Sequence, residues 1–100
     1  MTETGVGGIL SASHVDRLTG KTHGHSWEII VWHCCDNEND AVVLQNHLTN
    51  LLKAWDHTIL PTELARAEDL AAAIKRLSPP SCVEVEIRRP LERLYARARA

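Results

Sequence analysis

Aromatic side chains are scarce in this sequence, which has no phenylalanine, one tyrosine and three tryptophans among its 100 residues. The apolar fraction of 44% is supplied largely by alanine, leucine and valine instead. A chain of this length can bury one core of modest size, so we expect a single domain over residues 1–100. Small cores of this kind often gain further burial through contacts between subunits, and we therefore expect a homo-oligomer.

A large excess of charge of either sign is missing as well. The formal net charge is −2 at pH 7. Nonspecific nucleic-acid binding needs a basic field, so we do not expect nucleic acid as a partner. The only local basic excess lies near the C-terminus, and we interpret it as a solvated edge rather than a phosphate-binding site. Its members are Arg88, Arg89, Arg93, Arg97 and Arg99.

Long apolar runs are also absent. No stretch of about 18 apolar residues exists, so we expect no membrane span. Residues 1–6 lack the basic start and apolar segment of a secretory signal. The three cysteines are an odd number, and Cys34 and Cys35 are adjacent, which disfavours a bond between them. Together these features indicate a cytoplasmic protein with reduced thiols.

Strand-forming residues fill the first third of the chain. We predict a strand over residues 7–14, a polar loop over 16–22 with Gly20 as its turn marker, and a second strand over 25–35. After the polar break at 36–40, apolar residues recur at helical spacing, which predicts a first helix starting at Ala41. Its apolar face would hold Leu44, Leu48, Leu51, Leu52 and Trp55.

The rest of the chain predicts a second helix and one or two further strands. Pro61 interrupts the helical pattern, and Thr62 can cap a second helix with Glu63 in its first turn. Residues 82–87 alternate as a half-buried strand does. Beyond Pro90, helix propensity favours a short helix, whereas a ββααββ order favours a last strand. The fold class we expect is α+β.

Three of the six histidines fall close together in the predicted hairpin. His23 and His25 are two residues apart, so on a strand both imidazoles leave the same face. His14, on the neighbouring antiparallel strand, can bring a third imidazole to cross-strand distance. Three neutral imidazoles with an open fourth position form the ligand set of a catalytic zinc ion. We therefore predict a Zn²⁺ site at His14, His23 and His25.

The same order of elements and motifs resembles the 6-pyruvoyl-tetrahydropterin synthase family, which includes the bacterial 6-carboxy-tetrahydropterin synthases. The matching motifs are Ser-Ala-Ser-His at 11–14, His-Gly-His-Ser at 23–26 and Asp-His-Thr-Ile-Leu at 56–60. Looser matches occur at 67–71 and 83–95. The resemblance covers most of the chain, and the motifs are more specific as a set than singly.

This resemblance implies a T-fold, a four-stranded antiparallel sheet with two helices on one face. Subunits with this fold join their sheets into barrels, typically trimers that stack to hexamers, with the active site between subunits. The family's zinc ligands map onto His14, His23 and His25, and its catalytic residues onto Asp56 and His57. The implied function is a zinc-dependent lyase that eliminates triphosphate from 7,8-dihydroneopterin triphosphate, a small-molecule pterin substrate.

Two positions depart from the family pattern. Thr19 stands where the family has its cysteine base, and a threonine hydroxyl removes a proton only under strong activation. The pterin-anchoring glutamate maps most closely onto Glu86, but Ile87 occupies the in-phase position. A bulge could restore Glu86, and Glu84 shares its face. The alternative is thus a catalytically altered member that binds metal and a pterin- or purine-like ligand without this chemistry.

Three further expectations concern side-chain placement. In the catalytic interpretation Asp56 orients the imidazole of His57, which moves the proton. Adjacent residues seldom hydrogen-bond through their side chains, so the alternative is a partner carboxylate from another segment or subunit. His33 and His47 are predicted at the surface. Trp27 shares the parity of His23 and His25, and we expect it to pack in the core or against another subunit.

Overall fold

The computed structural model of the protein describes residues 2–16, 18–34 and 40–99, so Cys35 lies outside the described residues. Four strands form one antiparallel sheet in the order β1-β2-β3-β4. Two helices lie between the second and third strands in sequence, so the predicted α+β fold with ββααββ order is confirmed. The elements are β1 (Glu3–Val15), β2 (Thr22–Cys34), α1 (Ala41–Lys53), α2 (Ala67–Leu77), β3 (Cys82–Arg89) and β4 (Leu94–Arg99).

The β1–β2 hairpin is the longest part of the sheet. Each strand has 13 residues, and pairing continues to Val15 opposite Thr22. The polar residues at the end of the hairpin therefore pair as well, which makes both strands longer than the apolar pattern predicted. Burial alternates along the hairpin because Leu10 and Trp27 face the helices, whereas Ser11 and Ser26 face away from them.

Helix α1 packs across β1. The Asp40 side chain accepts a hydrogen bond from the Val43 backbone N–H at 3.1 Å and caps the helix, as an Asp at this position commonly does. A Cβ atom at Gly8 would lie 3.0 Å from a methyl group of Leu52, so the missing side chain allows this close helix–strand approach. The buried face of α1 holds Leu44, Leu48 and Leu52.

Helix α2 begins later than predicted. Thr62 opens a separate 3-10 turn, Thr62–Leu64, whereas α2 starts at Ala67. Arg66 has an extended backbone (φ −95°, ψ 146°), which breaks the helical run between the turn and α2. The prediction that Thr62 caps the second helix was therefore wrong. Glu68 and Asp69 lie in the first turn of α2, where their charges suit the helix dipole.

The C-terminal segment is a strand. A 3-10 turn, Pro90–Glu92, and Arg93 with positive φ (56°) reverse the chain, so that Leu94 pairs with Arg89. Pairing with β3 gives the backbone of this segment hydrogen-bond partners, and Ala96 and Ala98 pack against the core. Cross-strand pairing thus outweighs the intrinsic helix preference of its alanines and arginines.

One hydrophobic cluster joins the sheet to both helices, and Trp27, Leu10, Ile29, Leu70, Ile74 and Ile87 are among its most buried members. Trp27 is therefore a core residue, as expected. His33 was wrongly predicted at the surface, because its odd position on β2 directs it toward the helices; it is 2% exposed and lies 2.8 Å from the Ser81 hydroxyl. His47 is exposed as predicted. No helix among the described residues is long and apolar enough to cross a membrane.

Candidate metal and acid–base site

The three predicted metal ligands lie side by side at the loop end of the β1–β2 hairpin. His14 pairs with His23 across the two strands, and His25 pairs with Ala12. Their ring centroids are 4.7 Å apart for His14 and His25, 6.1 Å for His14 and His23, and 6.2 Å for His23 and His25. All three project from the helix-bearing face of the sheet. We refer to them as the histidine trio.

The spacing of the histidine trio suits a tetrahedral ion. With Zn–N bonds of about 2.0–2.1 Å, the centres of two imidazoles bound to one zinc ion lie about 5 Å apart. The His14 Nε2 atom is buried and has no hydrogen-bond partner among the described residues. Within these same residues, no three His, Cys, Asp or Glu side chains already surround a common metal position. The donor set therefore fits zinc, and small ring rotations are needed to bring the nitrogens together.

The surroundings keep two of these imidazoles neutral. Burial lowers the pKa of His14, and the nearby Arg89 and His23 lower it further. Burial also lowers the pKa of His25, with Arg89 and His14 acting in the same direction and Glu92 opposing them. The neutral form is the one that donates a lone pair to a metal ion. These histidines are therefore in the metal-binding protonation state at neutral pH.

A carboxylate flanks the histidine trio on the hairpin loop. Asp16 Oδ2 lies 3.8 Å from His23 Nε2. Its other oxygen, Oδ1, accepts hydrogen bonds from the backbone N–H groups of Leu18 and Thr19, which lower the pKa of Asp16. Carboxylates beside metal-binding imidazoles commonly orient the ring. At 3.8 Å Asp16 is beyond hydrogen-bonding distance of His23, so it would orient this ring only after a small movement.

Arg89 also belongs to this site, and the sequence analysis missed it. It ends β3 on the same face as Val85 and Ile87, although the predicted strand stopped at Ile87. Arg89 Nη2 lies 3.0 Å from His25 Nδ1 and 3.3 Å from His25 Nε2. Extending the alternation of β3 by two residues would have placed Arg89 beside the histidine trio.

Asp56 and His57 form a hydrogen-bonded pair beside β1. The two adjacent side chains meet, with His57 Nδ1 2.8 Å from Asp56 Oδ2, so of the two alternatives Asp56 itself is the carboxylate partner within this chain. Asp56 Oδ1 accepts a hydrogen bond of 2.9 Å from the Ser11 N–H. The positive φ of His57 (60°) and its own N–H bond to the Ser11 carbonyl (2.6 Å) position its backbone beside that strand. The Ser11 N–H and His57 hold the pKa of Asp56 below its ordinary value.

His57 lines a surface groove with a volume of about 460 Å³. Its side chain is 81% exposed. The Ser11 and Ser26 hydroxyls, which lie 3.2 Å apart on the sheet face away from the helices, also line this groove. The groove at His57 is therefore lined both by these outer hydroxyls and by His25, a member of the histidine trio. Its lining is Ser11, Ala12, Ser13, Gly24, His25, Ser26, His57, Thr58 and Ile59.

Glu86 also lies on the face away from the helices. It is 9% exposed; its Oε1 accepts a hydrogen bond of 3.0 Å from Trp32 Nε1, and its Oε2 accepts one of 2.8 Å from Arg88 Nη2. Burial opposes ionisation, but Arg88 and Trp32 outweigh it and lower the pKa of Glu86. The bulge in the β2–β3 pairing lies at Trp32/His33 and leaves Glu86 on this face. One chain alone does not bring Glu86 to the histidine trio.

The two remaining candidates, Glu84 and Thr19, contact residues outside the histidine trio. Glu84 pairs with Arg97 and Arg99 on the same outer face as Glu86. The Thr19 side-chain oxygen accepts a hydrogen bond of 3.2 Å from the Lys21 N–H within the hairpin loop. Its hydroxyl therefore takes part in the turn, and no described base contacts it there.

Comparison of the chain with models of known protein families gives no match, and no curated protein matches it significantly. The family interpretation therefore depends on the motifs quoted above and on the ββααββ architecture.

Proposed function

We propose that this protein is a zinc-dependent lyase of the 6-pyruvoyl/6-carboxy-tetrahydropterin synthase type, acting on 7,8-dihydroneopterin triphosphate. The observation that carries this proposal is the histidine trio, whose ring centroids lie 4.7–6.2 Å apart and which includes the buried His14 Nε2, without a hydrogen-bond partner among the described residues. When bound, Zn²⁺ would polarise the oxygens of the substrate side chain and acidify its hydroxyl groups. The reduced state of the cysteines that we expect suits the cytoplasm.

The Asp56–His57 pair supplies the acid–base part of the proposal. Asp56 accepts the Nδ1 proton of His57, which fixes the tautomer and leaves Nε2 as the basic nitrogen. The Ser11 N–H holds the carboxylate in place, so the ring does not turn freely. With Thr19 engaged in the hairpin loop, His57 is the described residue best placed to take the proton that the family's cysteine usually takes.

Oligomer formation belongs to the same proposal. The Glu86 carboxylate lies on the sheet face away from the helices, whereas the histidine trio lies on the face that bears them. A complete site therefore draws these groups from different subunits, and we propose a homo-oligomer, a trimer or a hexamer. Strands β1 and β4 are the two edges of the sheet. Residues 56–60 and Gln45 already hydrogen-bond to the β1 edge between Gly7 and Ser13, so subunits would join through β4 and the remaining part of β1.

The direct test is release of triphosphate from dihydroneopterin triphosphate by zinc-loaded protein, followed with mass spectrometry of the pterin product. We expect His57→Asn to lower kcat by about 10²- to 10⁴-fold, the usual contribution of a positioned acid–base group, with zinc binding retained. His47→Asn, an exposed histidine on α1, is the matched control and should leave kcat unchanged. Zinc-loaded protein that is inert toward every dihydropterin offered would refute the lyase.

A second function is favoured by specific contacts. Ile87 occupies the in-phase position of the anchor, Glu86 is held by Trp32 and Arg88, and the Thr19 hydroxyl is engaged in the hairpin loop. A metal-containing binder of pterin- or purine-like ligands would need neither the cysteine nor turnover. Saturable quenching of pterin fluorescence without any product would support this binder over the lyase.

A further inference from the structure

Arg89 contacts His25, one member of the histidine trio. Its Nη2 atom lies within 3.3 Å of both ring nitrogens of His25. A zinc ion would approach one of those nitrogens to about 2.0–2.1 Å. Because Nη2 lies at nearly equal distances from both nitrogens, the guanidinium lies over the ring face and not along the lone pair of either nitrogen. Its positive charge would lie within a few ångströms of a metal ion bound to His25, so the present position of Arg89 opposes a metal ion there.

The guanidinium is held in this position by its surroundings. Its side chain is 14% exposed, and its Cζ atom lies 5.9 Å from the Trp27 ring centroid. Its Nε atom is buried without a hydrogen-bond partner among the described residues. A neutral imidazole is a weaker partner for a guanidinium than a carboxylate is. Arg89 is therefore ordered, yet its contacts leave part of its hydrogen-bonding capacity unused.

A carboxylate stands beside this contact. Glu92 Oε1 lies 3.5 Å from Arg89 Nη2 and 3.5 Å from His25 Nδ1. Both distances exceed the 2.7–2.9 Å typical of a close charge-assisted hydrogen bond. Glu92 could therefore form a close ion pair with the guanidinium of Arg89 after a small movement, although the two groups are too far apart for a close hydrogen bond in this structure.

We propose that Arg89 is an internal competitor of the metal ion at His25, and that Glu92 takes over the guanidinium when a divalent cation binds. This inference rests on the proposed metal site and identifies a residue that sets its affinity. Binding then requires Arg89 to exchange an imidazole partner for a carboxylate partner. The positive charge that remains nearby weakens cation binding relative to three histidines alone.

The test is the zinc affinity of full-length protein, measured after chelator treatment by competition with a chromophoric zinc chelator. Arg89→Gln keeps much of the side-chain length and removes the charge, and it should tighten zinc binding at least about tenfold, because a unit charge a few ångströms from a dication is removed. Arg99→Gln removes the same charge from the opposite face, where Arg99 pairs with Glu84, and should leave the affinity unchanged. Arg89→Lys keeps the charge and should stay near the native value.

The role of Glu92 is tested by a double-mutant cycle. Glu92→Gln should weaken zinc binding in the native background, and by clearly less in the Arg89→Gln background, where no guanidinium needs a new partner. Equal losses in both backgrounds would overturn the transfer to Glu92. Circular dichroism of each apo variant establishes that the fold is retained, and Arg89→Lys still tests the role of charge if Arg89→Gln does not fold.

The outcomes separate this inference from the proposed function. Equal zinc affinities for native protein, Arg89→Gln and Arg99→Gln would overturn the competition while leaving the metal site and the lyase intact. Absence of zinc binding in all of them would overturn the metal site and the competition together. Tightening by Arg89→Gln in a protein that releases no triphosphate would support the competition and refute only the lyase.

Discussion

If the histidine trio binds zinc as proposed, replacing His14 should remove most of the stabilisation that the ion gives to the fold. His14 is the closest neighbour of both other members of the histidine trio, with ring centroids 4.7 and 6.1 Å away. Zinc at 100 times its Kd stabilises a native protein by about 2.7 kcal/mol. Each kcal/mol moves the Tm of a domain of this size by about 4–8 °C. Native protein should therefore melt about 10–20 °C higher with zinc than after chelation.

His14→Gln should reduce this zinc-dependent shift to a few degrees. Two imidazoles remain, but the ligand with the buried, unpartnered Nε2 is lost. Without zinc the substitution should change stability little, because the described residues give that nitrogen no hydrogen bond that could be lost. His47→Gln, on the exposed side of α1, is the control and should keep the full shift. The assay is differential scanning calorimetry at pH 7.5 with zinc or with chelator.

The refuting results are specific. A zinc-dependent shift of equal size in native protein and in His14→Gln would mean that zinc binds elsewhere on the chain. A shift that is absent from native protein, with zinc in large excess, would mean that the trio does not bind the ion. The shift should also shrink on acidification, because the imidazoles must be neutral to bind metal. The lowered pKa values of His14 and His25 place this loss below the ordinary titration range of histidine, and a shift that acidification leaves unchanged would contradict histidine ligation.

Two further predictions follow from the described contacts. Asp56→Asn should lower kcat by about 10²- to 10⁴-fold with zinc affinity unchanged, because an amide N–H facing Nδ1 forces the proton onto Nε2; kinetics as fast as those of native protein would contradict a role for the pair. Chelated protein should lose stability from pH 7 to pH 5.5 in urea titrations, because folding lowers the pKa of His14, His25 and His33, so that the unfolded chain binds more protons in that range. His33→Gln should flatten this dependence, and a slope unchanged by it would show that burial of His33 has no such effect.

Local patterns in the sequence were enough to predict most elements of the fold. The spacing of the leucines in α1 and the alternation in β1, β2 and β3 are signals contained within each segment, and the structure follows them. The last segment could not be assigned, because its composition favours a helix while its partner, the free edge of β3, lies in another part of the chain. The start of α2 was misplaced for a related reason. A residue type that can cap a helix marks only a possible start, and in the structure the extended backbone of Arg66 separates Thr62 from the helix, which begins at Ala67.

Candidate site residues could be predicted where their placement depends only on the alternation of side chains along two paired strands. His14, His23 and His25 needed only alternation and one hairpin register, and the structure brings them together. The contact of Arg89 with His25 depends on where β3 ends, and the Asp56–His57 bond depends on a left-handed backbone at His57. Residue type alone predicts neither where a strand ends nor which non-glycine residue has a positive φ. These two features therefore required the structure.

The proposed pterin anchor depends on a single residue of register in β3. Ile87 is fully buried, and Glu86 is held on the other face by Trp32 and Arg88. A slip of one residue would carry Glu86 and Arg88 to the helix-bearing face and move Ile87 out of the core. Exposing Ile87 alone costs about 1.5–3 kcal/mol, and placing charged groups against the helices costs more. Register change is therefore excluded as a way to bring Glu86 to the histidine trio, and a shared site requires the glutamate of a second subunit.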